Sequence, residues 1–135
     1  MRIYKQELAP ATFISKNVLP YKTAEEARRG ILKLDLQYDI PCMWYLMDEN
    51  ETKGKEYIIF SVGTGHNLRN TVKREEYVGT VILDDGALVL HYFLIEVNEF
   101  DSRCREYRDK ERDEMQSREK SDIENEDDGQ WEKVN

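Results

Sequence analysis

Short apolar runs dominate the first hundred residues and predict β-strands. Residues 31–36 alternate apolar and polar side chains, which is typical of a strand with one face in water. Residues 42–47 are apolar at every position, so we expect a strand that is covered on both faces, and residues 56–62 are predicted to form another strand. Polar residues and glycines separate these runs, and the body is therefore predicted to be mainly β.

The most specific local signal is the dipeptide Asp85-Gly86, which lies between apolar runs at 77–84 and 87–95. A two-residue type I′ turn needs positive φ at both central positions, and Asp-Gly is among the pairs that supply it. Both flanks are rich in β-branched and aromatic residues. The pattern predicts a long hairpin that ends the body.

Weaker signals precede these strands. Residues 2–8 and 12–19 have strand character, and Thr23-Ala24-Glu25-Glu26 has the form of a capping box that opens a short helix ending at Gly30. Together the elements predict an α+β chain that is mainly β, with six or seven strands in a small antiparallel sheet or sandwich-like body, followed by a charged C-terminal helix.

The hydrophobic period changes after residue 97. An apolar stripe with helical spacing runs through Val97, Phe100, Cys104 and Tyr107 and then gives way to charged residues. We therefore expect a β-rich body at 1–97 and a charged helix at 98–120 whose first half docks on the body. Residues 121–135 are predicted to be a disordered acidic tail, because they hold few apolar side chains among many acids.

The net charge of −8 is concentrated in the C-terminal part of the chain. Residues 1–97 carry 12 basic and 14 acidic side chains, whereas residues 98–135 carry 8 and 14. Proteins that grip nucleic acid do so largely through lysine and arginine on the phosphates. The acidic balance therefore speaks against direct nucleic-acid binding.

Targeting signals and cysteines favour a cytoplasmic protein. The first residues contain no apolar stretch of the kind found in a signal peptide, and the longest apolar run, 87–95, is about half the length of a membrane helix. Cys42 and Cys104 lack the Cys-x-x-Cys spacing of zinc or redox sites. We expect free thiols, no membrane association, and residence in the cytoplasm.

Four segments of the body carry a resemblance. The segments are Ile40-Pro41-Cys42-Met43-Trp44, Phe60-Ser61-Val62-Gly63-Thr64-Gly65-His66, Tyr77-Val78-Gly79-Thr80-Val81 and Gly86-Ala87-Leu88-Val89-Leu90-His91-Tyr92-Phe93. With these segments in this order, residues 25–96 or so resemble a family of small tailed-bacteriophage proteins of unknown function. The resemblance implies a phage protein that acts in the cytoplasm of the host cell and has a β-rich fold. It implies no activity.

A glycine-containing loop is the first candidate site. Gly63, Thr64, Gly65 and His66 follow a predicted strand and could present N–H groups to an anion, with the imidazole as a further donor. The third glycine of a dinucleotide-binding motif is absent, since that position is Leu68. A tight strand exit that needs the positive φ of glycine is the favoured explanation of this loop. A module that binds a nucleotide or phosphometabolite is therefore an alternative hypothesis.

Catalytic and metal sites are weakly indicated. His66 or His91 could act as a base toward Cys42 or Ser61, with Asp84 and Asp85 near enough in sequence to orient them. Two histidines in this chain are few, and neither has the spacing of paired metal ligands. Trp44 between two methionines favours core packing over a cofactor stack. We expect no catalytic residues, metal or cofactor, and hence a non-enzymatic protein.

The acidic helix and tail are the predicted partner-binding segment. Acidic side chains steer encounters with a basic surface, and a lone tryptophan can anchor the contact. The predicted contact residues are Glu111, Glu114, Asp122, Glu124, Glu126, Asp127, Asp128 and Trp131. The hypothesis is a phage effector that binds a host protein and modulates or inhibits it. DNA mimicry is a further alternative, which the interspersed arginines disfavour. Exposed sheet edges also permit a homodimer.

Overall fold

Seven strands and two α-helices occupy the residues that the computed structural model describes, which are 1–11, 13–48, 50, 53–68 and 71–127, with side chains given up to residue 118. In chain order the elements are β1 (Arg2–Glu7), β2 (Phe13–Leu19), α1 (Ala24–Gly30), β3 (Ile31–Gln37), β4 (Ile40–Met47), β5 (Lys55–Gly63), β6 (Tyr77–Leu83), β7 (Leu88–Glu96) and α2 (Val97–Asp127).

The strands form two antiparallel sheets. Sheet A has the order β1-β4-β3, and sheet B has the order β2-β5-β7-β6. The predicted class, a mainly β body of six or seven strands with a C-terminal helix, is confirmed. The β3–β4 and β6–β7 pairs join consecutive strands, whereas the β1–β4, β2–β5 and β5–β7 pairs join strands that are separated along the chain.

The core lies between the inner faces of the two sheets. Side chains two residues apart on a strand share a face, and the inner faces carry mainly large apolar residues that are almost completely buried, namely Met43, Tyr45, Tyr57, Ile59, Leu90, Tyr92 and Leu94. Gly79 of β6 lies against Leu34 of β3, where an added Cβ would come within 3.1 Å of the leucine Cβ. The missing side chain lets β3 and β6 approach closely.

The hairpin turns combine one confirmed prediction with one surprise. Asp85 has φ 55° and Gly86 has φ 95°, and the Ala87 N–H donates to the Asp84 carbonyl at 3.0 Å, as a type I′ turn requires. Asp84 also has positive φ, 51°, and the strands end at Leu83 and resume at Leu88, so the connection has four residues and not the predicted two. The β3–β4 hairpin also turns through two positive-φ residues, Tyr38 and Asp39, although neither is glycine. Strand β4 then begins at Ile40, two residues before its predicted start at Cys42.

Helix α1 begins and ends where the sequence indicates. The Thr23 hydroxyl accepts the Glu26 N–H at 3.1 Å, which satisfies one free donor of the first turn. The reciprocal bond of a capping box is displaced by one residue, because Glu26 accepts the N–H of Lys22 and not that of Thr23. The helix ends at Gly30, as predicted.

Tyrosine hydroxyls tie the connecting segments to the core. Tyr57 donates to the Tyr21 carbonyl at 2.6 Å, and Tyr92 donates to the Ala9 carbonyl at 2.7 Å. Tyr21 in turn donates to the Leu46 carbonyl. Each bond joins a segment outside the ladders to a strand, so the buried polar atoms are satisfied while the segments are held in place.

Helix α2 is longer than the sequence suggested. It starts at Val97 and continues to Asp127, beyond the expected end at 120, because an existing helix gains one hydrogen bond for each residue added. The tail predicted as disordered is therefore helical in backbone at 121–127, and its remainder at 128–135 lies outside the described residues. No helix in the described part of the chain is long and apolar enough to span a membrane.

The chain divides into two units, Met1–Asp101 and Ser102–Asn135. The first unit extends four residues beyond the expected boundary at 97, because Phe100 is buried and packs against Phe60 with tilted rings whose centroids are 6.0 Å apart. The β body named below is the first unit.

Gly30 has no room for a side chain. A Cβ there would overlap the ring of Tyr21, which cannot move away without breaking its bond to Leu46. We expect Gly30→Ala to lower the free energy of unfolding by about 1–3 kcal/mol, measured by urea denaturation. Arg29→Ala, at an exposed position of the same helix, is the control and should change stability by less than about 0.5 kcal/mol. Equal effects of the two substitutions would contradict this packing.

Burial makes the body sensitive to alkali. Desolvation raises the pKa of Tyr92 from 10.0 to about 12 and also raises the pKa values of Tyr21, Tyr45 and Tyr57. The folded state thus holds these protons more tightly than the unfolded state. The stability should be constant below about pH 10 and fall as the pH rises toward 12, with Tyr92 contributing about 2 kcal/mol of the loss. Tyr92→Phe should reduce this dependence, and an unchanged slope would refute the assignment.

Candidate functional site

The glycine loop after β5 is a closed turn. The Thr64 N–H donates to the Val89 carbonyl, the His66 N–H donates to the Gly63 carbonyl, and both distances are 3.3 Å. Gly65 has φ 91°, a conformation that favours glycine. Two N–H groups of Gly63, Thr64, Gly65 and His66 are therefore used within the protein, and the loop does not present the row of converging donors that an anion site needs.

A hydrogen-bonded row of four side chains lies beside this loop on the outer face of sheet B. We call it the His91 chain, and its members are Thr64, His91, Thr80 and Tyr77. His91 of β7 contacts Thr64 through Nε2 at 2.7 Å and Thr80 through Nδ1 at 2.9 Å. The Thr80 hydroxyl also bonds to the hydroxyl of Tyr77. A neutral imidazole has one donor and one acceptor nitrogen, so the two threonines occupy both. His91 is held in place, with each ring nitrogen bonded to a threonine hydroxyl.

An aromatic row crosses the same face below His91. Phe93 is the direct cross-strand partner of Phe60, and Tyr77 packs edge-on against Phe93 with centroids 5.8 Å apart. Phe100 continues the row from the other side of Phe60. Cross-strand aromatic pairs of this kind stabilise a sheet. The aromatic row stabilises the outer face of sheet B and thereby helps to position the His91 chain.

The candidate nucleophiles do not meet the histidines. Ser61 is buried, its hydroxyl donates to the Ala11 carbonyl at 2.6 Å, and it is opposite Tyr92 on the inner face of sheet B. His91 neighbours Tyr92 in sequence and therefore faces the other way. Cys42 is buried in sheet A, with its thiol 3.4 Å from the Ile40 carbonyl. No base–nucleophile pair is formed by these groups.

Asp84 and Asp85 lie at the β6–β7 turn, where they share the rim of an open depression with Asp39 from the β3–β4 turn. Its volume is about 550 Å³, and the side chains of Leu36 and Ile82 also line it. In the described part of the chain, no three histidine, cysteine or acidic side chains are arranged to hold a metal ion. The depression is an acidic surface feature, and neither His66 nor His91 lines it.

The predicted partner-binding residues lie on or beyond α2. Glu111 and Glu114 are exposed, within a run of eleven exposed residues from Arg108 to Arg118. The backbone of Asp122, Glu124, Glu126 and Asp127 is helical. Asp128 and Trp131 lie outside the described residues. The structure thus places the acidic side chains that it describes on a surface open to solvent.

Sequence reasoning did not identify the His91 chain, although one signal pointed to it. The turn at Asp85-Gly86 sets the register of the hairpin, and this register pairs Thr80 with His91. Thr64 could not be found in this way, because its approach depends on how the loop after β5 folds back.

Trp44 was expected in the core, but it is half-buried on the outer face of sheet A.

Comparison with known proteins identifies one family. Residues 1–100 match the family model described as Domain of unknown function (DUF7352). Neither a curated protein nor a solved structure matches the chain. The match covers the β body up to the buried Phe100 and ends before the exposed part of α2.

The His91 chain is expected to act structurally. His91→Leu removes two hydrogen bonds in a half-buried position and should lower the free energy of unfolding by about 1–2 kcal/mol, as measured by chemical denaturation. His66→Leu is the matched control at an exposed position and should change it by less than about 0.5 kcal/mol. A larger loss from His66→Leu would show that the loop, and not the strand histidine, is the structural element.

Proposed function

The chain belongs to this family of unknown function, and we propose that it is a non-enzymatic effector that binds a partner protein through α2. The observation that carries the proposal is the exposure of the helix. From Arg108 to Arg118 every side chain is open to solvent. A helical surface of this length is available for contact with another molecule.

Local contacts help to keep this helix formed without burial. Arg112 forms an ion pair with Asp109 at 3.1 Å, and the Tyr107 hydroxyl donates to Glu111 at 2.6 Å. Pairs three or four residues apart stabilise an isolated helix by a few tenths of a kcal/mol each. The helix of 31 residues is about 46 Å long, which is enough to span the interface of a standard protein complex.

The charge of the helix indicates the chemistry of the partner. Residues 109–127 carry four basic and nine acidic side chains. An acidic surface accelerates association with a basic one and repels other acidic surfaces. We therefore propose a partner protein that presents a basic surface. The resemblance of the body to phage proteins makes a host cytoplasmic protein the expected partner, and Trp131 is proposed to add an apolar anchor.

The β body serves as a scaffold in this proposal. Its candidate reactive groups already make internal bonds: Ser61 to Ala11, and His91 to Thr64 and Thr80. The ligand alternative at the glycine loop loses support, because two of its N–H groups are used. DNA mimicry is also less favoured, because Lys110, Arg112 and Arg118 interrupt the acidic array.

Charge reversal on α2 tests the proposal. A photo-crosslinking residue at exposed position Gln116 would capture and identify the partner, whose affinity is then measured with purified proteins. The variant E111K/E114K should weaken binding about tenfold or more, equivalent to about 1.4 kcal/mol, and should reduce the salt dependence. The control E56K/E75K makes the same change in net charge at exposed positions of the β body and should leave affinity within about twofold.

Two results would contradict the proposed role of α2. One is an equal loss of affinity in the helix variant and in the control, which would show that only net charge matters. The other is a partner that binds E111K/E114K as tightly as the unmodified chain.

A further inference from the structure

The outer face of sheet A carries its charges in two neighbouring rows of opposite sign. Lys5 of β1 and Lys33 of β3 both pair in register with Trp44 of β4, so these three residues form a basic row across the sheet. The next row along the strands contains Glu7, Cys42 and Asp35, again in direct register. We call this surface the striped face, and its two charged rows are about 7 Å apart.

Apolar residues lie on both sides of the two rows. Ile3, which is 63% exposed, and Leu46 form a pair beyond the basic row. Ile40, which is 40% exposed, lies beyond the acidic row. With half-buried Trp44, Leu46 and Ile40 give the striped face an apolar centre along β4, and the charged residues of β1 and β3 lie on its two sides. A protein interface has the same composition of apolar core and polar rim.

The striped face is complementary to itself. A twofold axis parallel to the rows and midway between them would turn one copy over and bring each basic row onto the acidic row of the other copy. Lys5, which would exchange its bond to Gln37 of its own chain, would meet the partner's Glu7, and Lys33 would meet the partner's Asp35. Trp44 would lie above the row position of the partner's Cys42, which is already buried within its own chain. Leu46 would meet the partner's Ile40, with Ile3 beside this contact. Contacts exchanged equally between copies are what a twofold dimer requires.

We propose that two copies of the chain associate through their striped faces. The strands of the two sheets would then be aligned, as in a common class of sheet-on-sheet packing. A partner carrying a single sign of charge would meet repulsion in one row, whereas a second copy meets attraction in both. The inference uses only residues of the β body, and therefore stands or falls separately from the role of α2.

The size of the striped face predicts a weak dimer. Three strands of six to eight residues make a face of roughly 14 Å by 23 Å. This is below the area of a standard stable interface, so the association should occur in the micromolar range or weaker. The existing pair between Lys33 and Asp35, 3.2 Å apart, is mostly exposed and can exchange partners at little cost.

Sedimentation velocity of the full chain tests the proposal. The concentrations, about 5 to 500 μM, cover the weak affinity expected of a small interface. The mass should rise with concentration from that of one chain toward that of two, and added salt should oppose the rise. K33E should weaken self-association at least tenfold, because the new glutamate faces the partner's Asp35. D35K should do the same, because it faces the partner's Lys33. The control K16E lies at an exposed position on sheet B and should leave self-association unchanged.

Mixing the two weakened variants gives the sharpest result. In an equimolar mixture of K33E and D35K, Glu at position 33 of one copy meets Lys at position 35 of the other, and the unchanged residues also pair with opposite sign. The mixture should associate as the unmodified chain does, although each variant alone does not. A monomer at every concentration, self-association that neither variant weakens, or a mixture that does not recover would each overturn the proposal.

Discussion

The antiparallel pairing of β5 with β7 is the interaction on which the rest of the β body depends. These are the two inner strands of sheet B, and they are paired from Tyr57 opposite Glu96 to Gly63 opposite Leu90. Because neighbouring side chains point to opposite faces, the register decides which groups enter the core. A shift of one residue would take Tyr92 away from the Ala9 carbonyl and His91 away from Thr64, which directly follows β5.

The same register separates the groups that could have performed chemistry. Ser61 faces the core and His91 faces outward, so no hydrogen bond between them can form while the strands stay paired. Each group instead stabilises the fold, one by holding the segment before β2 and the other by linking three polar side chains. Both polar side chains are therefore satisfied by bonds within the body.

The parts of the structure that local chemistry controls could be predicted from the sequence, and the parts that depend on distant contacts could not. The Asp85-Gly86 turn and the Thr23 cap follow from the preferences of a few adjacent residues. A break at Tyr38-Asp39-Ile40-Pro41 and a return strand after it were also predicted, but the form of the turn, with positive φ at Tyr38 and Asp39 and with Ile40 and Pro41 inside β4, was not. Whether an apolar residue faces the core depends on the register between sheets, and Trp44 was therefore misplaced.

The central claim is that the protein recognises its partner through the exposed part of α2 while the β body stays unchanged. Hydrogen exchange of the full chain, measured with and without the crosslinked and purified partner, tests this claim most directly. The account predicts slower exchange within residues 102–118 and no change in β5, β7 or the loop at 63–66. Protection of that loop and of β7 around His91, with no effect in the helix, would contradict it.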